Sequence, residues 1–371
     1  MRIASYNVEN LFNRAKALNQ ESWAEGREVL ETYSRLNAIL QKQTYSQADK
    51  QAILEALKAL GLEKSDDGPF AMLRQNRGRL VRRPTGGGIE VVADGRGDWI
   101  GWVELEREAV NEAAIENTAR VIRDIKADVL GVVEAEDRTA LLRFNDQVIK
   151  AVGGESYDHV MLIDGNDERG IDVGIMMRNG IEIASICSHV DDRDAGGKRL
   201  FSRDCPEYLL KLPSGANLRI LVNHLKSKGY GKPAESNARR KAQALRVREI
   251  YDARRASGED LIAIVGDMND TPDSDPLSPL LGSGSDLKDV SEHPNYQDDG
   301  RPGTYGNGTK SGKIDYILLS PALFAQVQAA GVNRTGVWGG KNGTLWPKLP
   351  ELTKEVEAAS DHAAIWADLN I

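Results

Sequence analysis

Residues 261–270 read LIAIVGDMND: five apolar residues, a glycine, then Asp267, Met268, Asn269 and Asp270, with Pro272 two residues further on. Leu261 to Val265 predict a buried strand. A strand that only had to turn could do so at Gly266 alone. Instead the chain sets a carboxylate and a carboxamide at positions i and i+2, which point the same way from an extended backbone. Such a stretch aims two oxygen-rich groups at one spot on a sheet edge. They either cap a turn or hold a substrate or an ion.

The same theme recurs along the chain. MRIASYNV (1–8) predicts a short strand ending near Asn7, ADVLGVVE (127–134) ends on Glu134, and NLRILVNHL (217–225) carries His224 near its end. IDVGIMMR (171–178) alternates small and apolar residues, while KIDYILLS (313–320) and SDHAAIWADL (360–369) place acids at the start of apolar strands. Helical periodicity runs from about Arg107 to Lys126 and again over 236–255. Strands interleaved with helices predict an α/β fold built on mixed sheets. Between 13 and 106, Ser46 and Asp49 form a capping box for a helix through Ile53, Leu57 and Leu60, with Gly61 as its stop signal. Residues 79–105 carry glycine clusters and alternation, as a hairpin or small sheet does. We therefore expect one catalytic domain over 1–371 with a mostly helical insertion at 13–106.

Composition narrows the class. At 371 residues, 40% hydrophobic and 28% charged, the chain is of ordinary globular type and can bury a sizeable core. No window of about 18 apolar residues appears, so no membrane span is expected. The opening MRIASYNVENLF lacks an apolar signal core, which predicts a cytoplasmic location. Two cysteines, Cys187 and Cys205, with no CxxC pair, argue against a disulfide scaffold or a structural zinc site. The net charge of −8 argues against indiscriminate nucleic-acid binding through a basic surface. It leaves a nuclease open, because divalent ions offset acids in a site.

Collected from their strand ends, Asn7, Glu134, His224, Asp267, Asn269, Asp315, Asp361 and His362 form one inventory. Hard cations such as Mg²⁺ take oxygen ligands and are held by one or two carboxylates. Two histidines with acids to orient them suit proton transfer. The set suits attack of water on a phosphodiester. Basic segments admit plainer readings: the helix carrying Arg239, Arg240, Lys241, Arg246 and Arg248 is by default a solvated face, and RLVRRP (79–84) is either a nucleic-acid arm or an ordinary basic loop. Trp99, Trp102, Trp338 and Trp346 are candidates for base stacking or, by default, for packing.

NVENLF (7–12), VVEAED (132–137), RGIDVGIMMR (169–178), VNHLKSK (222–228), GDMND (266–270), KIDYILL (313–319) and SDHAAI (360–365), in that order, resemble the endonuclease/exonuclease/phosphatase superfamily, in its pancreatic deoxyribonuclease-like branch. The resemblance implies a four-layer α/β/β/α sandwich of two packed mixed sheets. It implies Mg²⁺ or Mn²⁺, in one or two copies, held by Glu134 with Asn7 and Asp361. It makes Asp267 and Asn269 the positioners of water and phosphate, pairs His362 with Asp315, and sets His224 near the leaving oxygen. Asp172 is the candidate to orient His224, and Arg169 and Lys226 are candidate phosphate contacts beside Asn7 and Asn269. Nucleic acid is the expected substrate, with a small or lipid phosphate as the alternative. No protein partner is implied.

Overall fold

The computed structural model describes residues 1–371 apart from Asn10, Phe12, 19–22, Glu168, Tyr230 and Gly231, so Asn10 and Phe12 of the NVENLF motif lie outside the described residues. The chain divides into two compact units, one of residues 1–12, 110–228 and 232–371, the other of residues 13–109 and 229–231.

The first unit holds two large mixed sheets. One runs, edge to edge, Tyr296–Gln297, Val327–Asn333, Ala364–Leu369, Arg2–Asn7, Val129–Ala135, Asp172–Met177 and His159–Ile163. The other runs Glu182–Cys187, Glu207–Lys211, Asn217–His224, Ile262–Asp267, Asp315–Leu319 and Lys288–Asp289. The two-residue period of a strand sorts the side chains into layers. Ile3, Val129, Val133, Val173 and Ile175 of the first sheet meet Ile220, Val222, Ala263, Val265 and Ile317 of the second in one buried cluster. Their sequence neighbours face outwards, where Tyr6, Leu130 and Val132 pack with Val121, Ile122 and Ile125 of the helix Glu112–Ile125. On the far side, Leu221, Ile262, Ile264 and Tyr316 pack with Ala244, Val247 and Tyr251 of the helix Pro233–Ala256. Helix, sheet, sheet, helix is the four-layer order. Each fully buried Val, Leu or Ile in it contributes roughly 1.5–3 kcal/mol.

The helices differ from the periodicity in two respects. The first helix begins at Glu112, because the Asn111 side chain accepts the Ala113 N–H at 2.8 Å. Arg107–Ala109 instead pairs as a strand with Asn13–Ala15 in the second unit. In the other helix, Arg240 is not on a solvated face: its side chain is 0% exposed and ion-paired to Asp270 at 2.8 Å.

The second unit has the helices Trp23–Leu40 and Gln47–Ala59, then short antiparallel pairs, with a core of its own that includes Leu36, Ile53, Leu57, Leu73, Trp99 and Val103. The Ser46–Asp49 capping box is formed, and Gly61 takes a φ of +74° just past the helix. Trp99 is buried, donating to Tyr45 Oη at 3.0 Å, whereas Trp102 is exposed. RLVRRP reads as an ordinary loop at two of its arginines: Arg82 pairs with Glu90 at 2.7 Å, and Arg83 pairs with Asp66 at 2.8 Å and donates to three carbonyls. Among the described residues no helix is long and apolar enough to cross a membrane. Both cysteines are free thiols.

Candidate active site

The sheet register assembles the polar residues. His224, Asp267 and Asp315 are cross-strand partners on three adjacent strands of one sheet. In the facing sheet Asn7 pairs with Val133, so Asn7 and Glu134 end two parallel neighbours at the same edge. His362 sits two residues before the Ala364–Leu369 strand and is bridged to Tyr305. Residues separated by up to 355 positions thereby meet: Asn7 Nδ2 lies 3.4 Å from His362 Nε2 and donates to Asp267 Oδ2 at 3.2 Å.

Asp267 is the centre. Its Oδ2 lies 3.6 Å from His224 Nε2 and 3.9 Å from His362 Nε2, and its Oδ1 accepts the Asn269 N–H at 2.8 Å. His224 Nε2 is also 3.6 Å from Glu134 Oε1, and His362 Nε2 is 3.6 Å from Asp361 Oδ1. Asp315 Oδ2 lies 2.8 Å from His362 Nδ1 and accepts from Thr304 Oγ1 at 2.6 Å. That pairing leaves Nε2 as the ring atom turned towards Asp267.

The two histidines differ in charge. Burial opposes a charged His362 ring, but the carboxylates of Asp315 and Asp361 outweigh it and push the group well above its ordinary value. Burial also disfavours charge on His224, and the cations Arg203 and Arg169 add to it, so this ring is held well below its ordinary value. Burial, with Asp315 as neighbour, raises the Asp267 carboxyl.

Backbone strain gathers here. Five non-glycine residues among those described have positive φ, and three of them, Glu9 (51°), Glu134 (66°) and Asn269 (55°), belong to the site. The left-handed turn at Asn269 means that Asp267 and Asn269 do not project from one extended strand. The strand stops at Asp267, whose Oδ1 caps the turn while Oδ2 faces the site, and Asn269 Nδ2 donates to Leu225 O at 3.2 Å. Gly266 is obligatory on other grounds. At φ +132° a Cβ there would stand 1.9 Å from the Asn223 carbonyl oxygen.

One expected pairing is absent. Asp172 accepts the Gly165 N–H at 2.7 Å, and among the described residues no hydrogen bond or ion pair joins it to His224. The register shift between Asp172 and Val173 offsets this strand end, and burial pushes the Asp172 carboxyl up to about 7. His224 Nδ1 is buried, and among the described residues no carboxylate holds that nitrogen. Arg169 turns to Asp167, donating to both its oxygens at 2.9 and 2.7 Å. Lys226 is half-buried, and Lys228 pairs with Asp270 rather than standing free for a phosphate backbone.

Other residues of the site carry no periodic or spacing signal in the sequence. Thr304, eleven residues before Asp315, braces it through both its side chain and the Asp315 N–H. The ring of Tyr305, 44% exposed, lies 5.0 Å from that of His362. Glu9, which the sequence reading did not single out although it lies inside NVENLF, accepts the Asp361 N–H at 3.0 Å.

The donor set suits a hard divalent cation: Glu134 and Asn7 at the end of one sheet, Asp267 at the end of the facing one and Asp361 beside them offer carboxylate and carboxamide oxygens. Asp267, Asp315 and His362 also offer ligand atoms within 4.8 Å of one another. The sequence model of the endonuclease/exonuclease/phosphatase family matches residues 105–329. The chain belongs to that family. Its members are hydrolases acting on phosphate esters, generally dependent on a divalent metal. Similar solved structures include mannosyl-6-phosphatase Bt3783 of Bacteroides thetaiotaomicron VPI-5482, at 18% identity and TM-score 0.49 over 70% of this chain and 92% of that one. Truncated Caenorhabditis elegans TDP2 is similar at 15% identity and TM-score 0.47 over 69% and 90% of the two chains. The human Nocturnin catalytic domain with bound sulfate is similar at 17% identity and TM-score 0.48 over 71% and 88%. No curated protein matches the chain.

Proposed function

We propose that the chain is a divalent-metal-dependent phosphodiesterase that cleaves nucleic acid, DNA or RNA. The observation that carries this reading is Asp267 Oδ2 flanked by the Nε2 atoms of two histidines at 3.6 and 3.9 Å, one of them tied to Asp315. A phosphate set before Asp267 meets a ring nitrogen on either side.

Glu134, Asn7 and Asp361 would hold Mg²⁺ or Mn²⁺, which supplies Lewis-acid stabilisation of phosphoryl charge when bound. The protein's own groups do the rest. Asp267 and Asn269 orient the attacking water, and Asp267 takes its proton as the new oxygen–phosphorus bond forms. His362, rather than the His224 that the resemblance set near the leaving oxygen, is the ring kept charged by its carboxylates; its Nδ1 is held by Asp315, and its Nε2–H protonates the leaving oxygen as the old bond breaks. Neutral His224 donates a hydrogen bond to a non-bridging oxygen without bringing a second positive charge into the buried site. Lys226, two residues beyond His224, offers a cation to the phosphate backbone.

The test is nicking of supercoiled plasmid with Mg²⁺ or Mn²⁺, with EDTA and Glu134→Ala as controls. Nicking that needs both metal and Glu134 supports a nuclease. Intact plasmid together with cleaved RNA keeps the nuclease reading and excludes duplex DNA. Hydrolysis confined to small or lipid phosphoesters overturns it.

A further inference from the structure

Cys187 and His189 stand two residues apart where the strand Glu182–Cys187 ends, and the register sets Glu207 directly opposite Cys187 on the neighbouring strand. Residues at i and i+2 of an extended chain project to one side, and cross-strand partners stand about 4.5–5.5 Å apart at Cβ. The three side chains converge accordingly. Cys187 Sγ lies 4.0 Å from His189 Nε2, Nε2 lies 3.0 Å from Glu207 Oε1, and one donor atom of each residue falls within 4.8 Å of the others. Both His189 and Glu207 are buried, while Cys187 is partly exposed and leaves the cluster a way in for an ion.

The histidine has a carboxylate on each nitrogen: Asp192 Oδ2 at 3.1 Å from Nδ1, and Glu207 Oε1 at Nε2. A neutral imidazole carries one N–H, so when Nδ1–H serves Asp192 the Nε2 lone pair faces the Glu207 oxygen. Something positive has to stand between those two atoms, either a second ring proton or a bound cation. The thiol beside the same nitrogen favours the cation. A bridging imidazolium has no use for sulfur, whereas cysteine, histidine and a carboxylate are the ligand types of Zn²⁺. A carboxylate behind the ligating ring is also the arrangement that orients a zinc-bound histidine.

The charges around the cluster admit such an ion. From the helix Pro233–Ala256, Arg254 donates to both Glu207 oxygens at 2.6 and 2.7 Å, and Arg246 donates to Asp192 at 2.7 Å. From Asn217–His224, Arg219 donates to Glu207 Oε2 at 3.2 Å. Two of these cations have a further acid, Glu259 for Arg219 and Glu249 for Arg246, and Asp204 accepts the His189 N–H at 2.7 Å. Of the two lone pairs on Glu207 Oε1, Arg254 takes one, and the other is the one turned to His189. Relative to an imidazolium beside a neutral thiol, a dication seated there displaces the Nε2 and Sγ protons. Two positive charges enter and two leave, so the arginines meet no added charge.

We infer that Cys187, His189 and Glu207 form a zinc site with an open fourth position, made of residues other than those gathered around Asp267. The inference does not depend on the phosphodiesterase reading. The missing CxxC pair, which argues against a structural zinc site, is silent on a Cys-x-His pair completed by an acid from the next strand.

The experiment titrates the full chain, stripped with EDTA, with Co²⁺ and reads the near-ultraviolet sulfur-to-cobalt charge-transfer band. Wild type and Glu134→Ala are both expected to show the band, because the oxygen ligands around Asp267 supply no sulfur, and added Zn²⁺ is expected to abolish it. Cys187→Ser should lose the band, and Asp192→Asn should weaken the affinity read from it by about 10–100-fold. No band in a folded wild type overturns the site. So does a band of full size in Cys187→Ser, whose source is then Cys205. Should Cys187→Ser fail to fold, His189→Gln decides by the same titration: a weakened band supports the site, and an unchanged affinity overturns it.

Discussion

Asp315→Asn isolates the pairing on which the proposed acid depends. Asp315 Oδ2 meets His362 Nδ1 at 2.8 Å and accepts from Thr304 Oγ1 at 2.6 Å, so the carboxylate both aims the ring and compensates its charge. The substitution keeps shape, and the backbone bond from Asp315 N to Thr304 Oγ1 at 3.1 Å does not involve the side chain that changes. A charge-assisted hydrogen bond contributes about 1.5–3 kcal/mol, which predicts a loss of roughly ten- to hundredfold in kcat/KM if the amide oxygen faces the ring. If the amide nitrogen faces it instead, the ring is forced into the other tautomer and the loss approaches about 10⁴-fold. The assay is hydrolysis of bis(p-nitrophenyl) phosphate at saturating Mn²⁺, with thermal unfolding as the fold control. His362→Ala alone should lower turnover by about two to four orders of magnitude. The double variant should be no worse than His362→Ala, since residues acting as a unit are not additive. A loss under threefold for Asp315→Asn, or full additivity of the two changes, would refute the dyad as the source of His362's function.

Glu134→Ala should abolish activity and leave the melting temperature unchanged, because the side chain lies at a partly exposed strand end; full turnover at saturating Mg²⁺ removes it from the metal-holding role. Gly266→Ala drives a Cβ to 1.9 Å from the Asn223 carbonyl and should cost about 1–3 kcal/mol or more, read as a fall in the denaturation midpoint; an unchanged midpoint contradicts the close strand approach. Burial would raise the Glu207 carboxyl, but hydrogen bonds from Arg254 and His189 and the charges of Arg254 and Arg219 hold it at about 2 against an ordinary 4.5. Its stabilisation is therefore present above pH 4.5 and lost as pH falls through 2, so Glu207→Gln should flatten the acid limb of a urea-midpoint titration; an identical slope in wild type and variant sinks the network.

The layers were legible because strand character is a local property of the chain: the near-continuous apolar runs in LRILVNH and IAIVGD mark strands buried on both faces without any knowledge of what covers them. The residues of the site were legible because each ends or begins such a run, and the order of the motifs repeats the family's. What failed to show was contact between residues that share no period. Asp172 was the partner for His224 that the resemblance implied, but its carboxylate accepts the Gly165 N–H, beside a register shift at its strand end. Arg240, one cation in a basic helical stretch, is the buried partner of Asp270, because burial follows from which helix face meets the sheet, and five basic residues in one helix do not reveal it.

Sequence alone determined which side chains stand at strand ends and therefore which chemistry was available: oxygen donors, two histidines and their acids. Tertiary structure decided the contacts that no motif implied. Thr304 braced Asp315, Asp172 met Gly165, and Arg169 and Arg203 closed on one oxygen of Asp167. The physical reason is one of range. Strand propensity and polarity act within a few residues, whereas a hydrogen bond or a charge acts over a few ångströms between groups that only the packed sheets bring together.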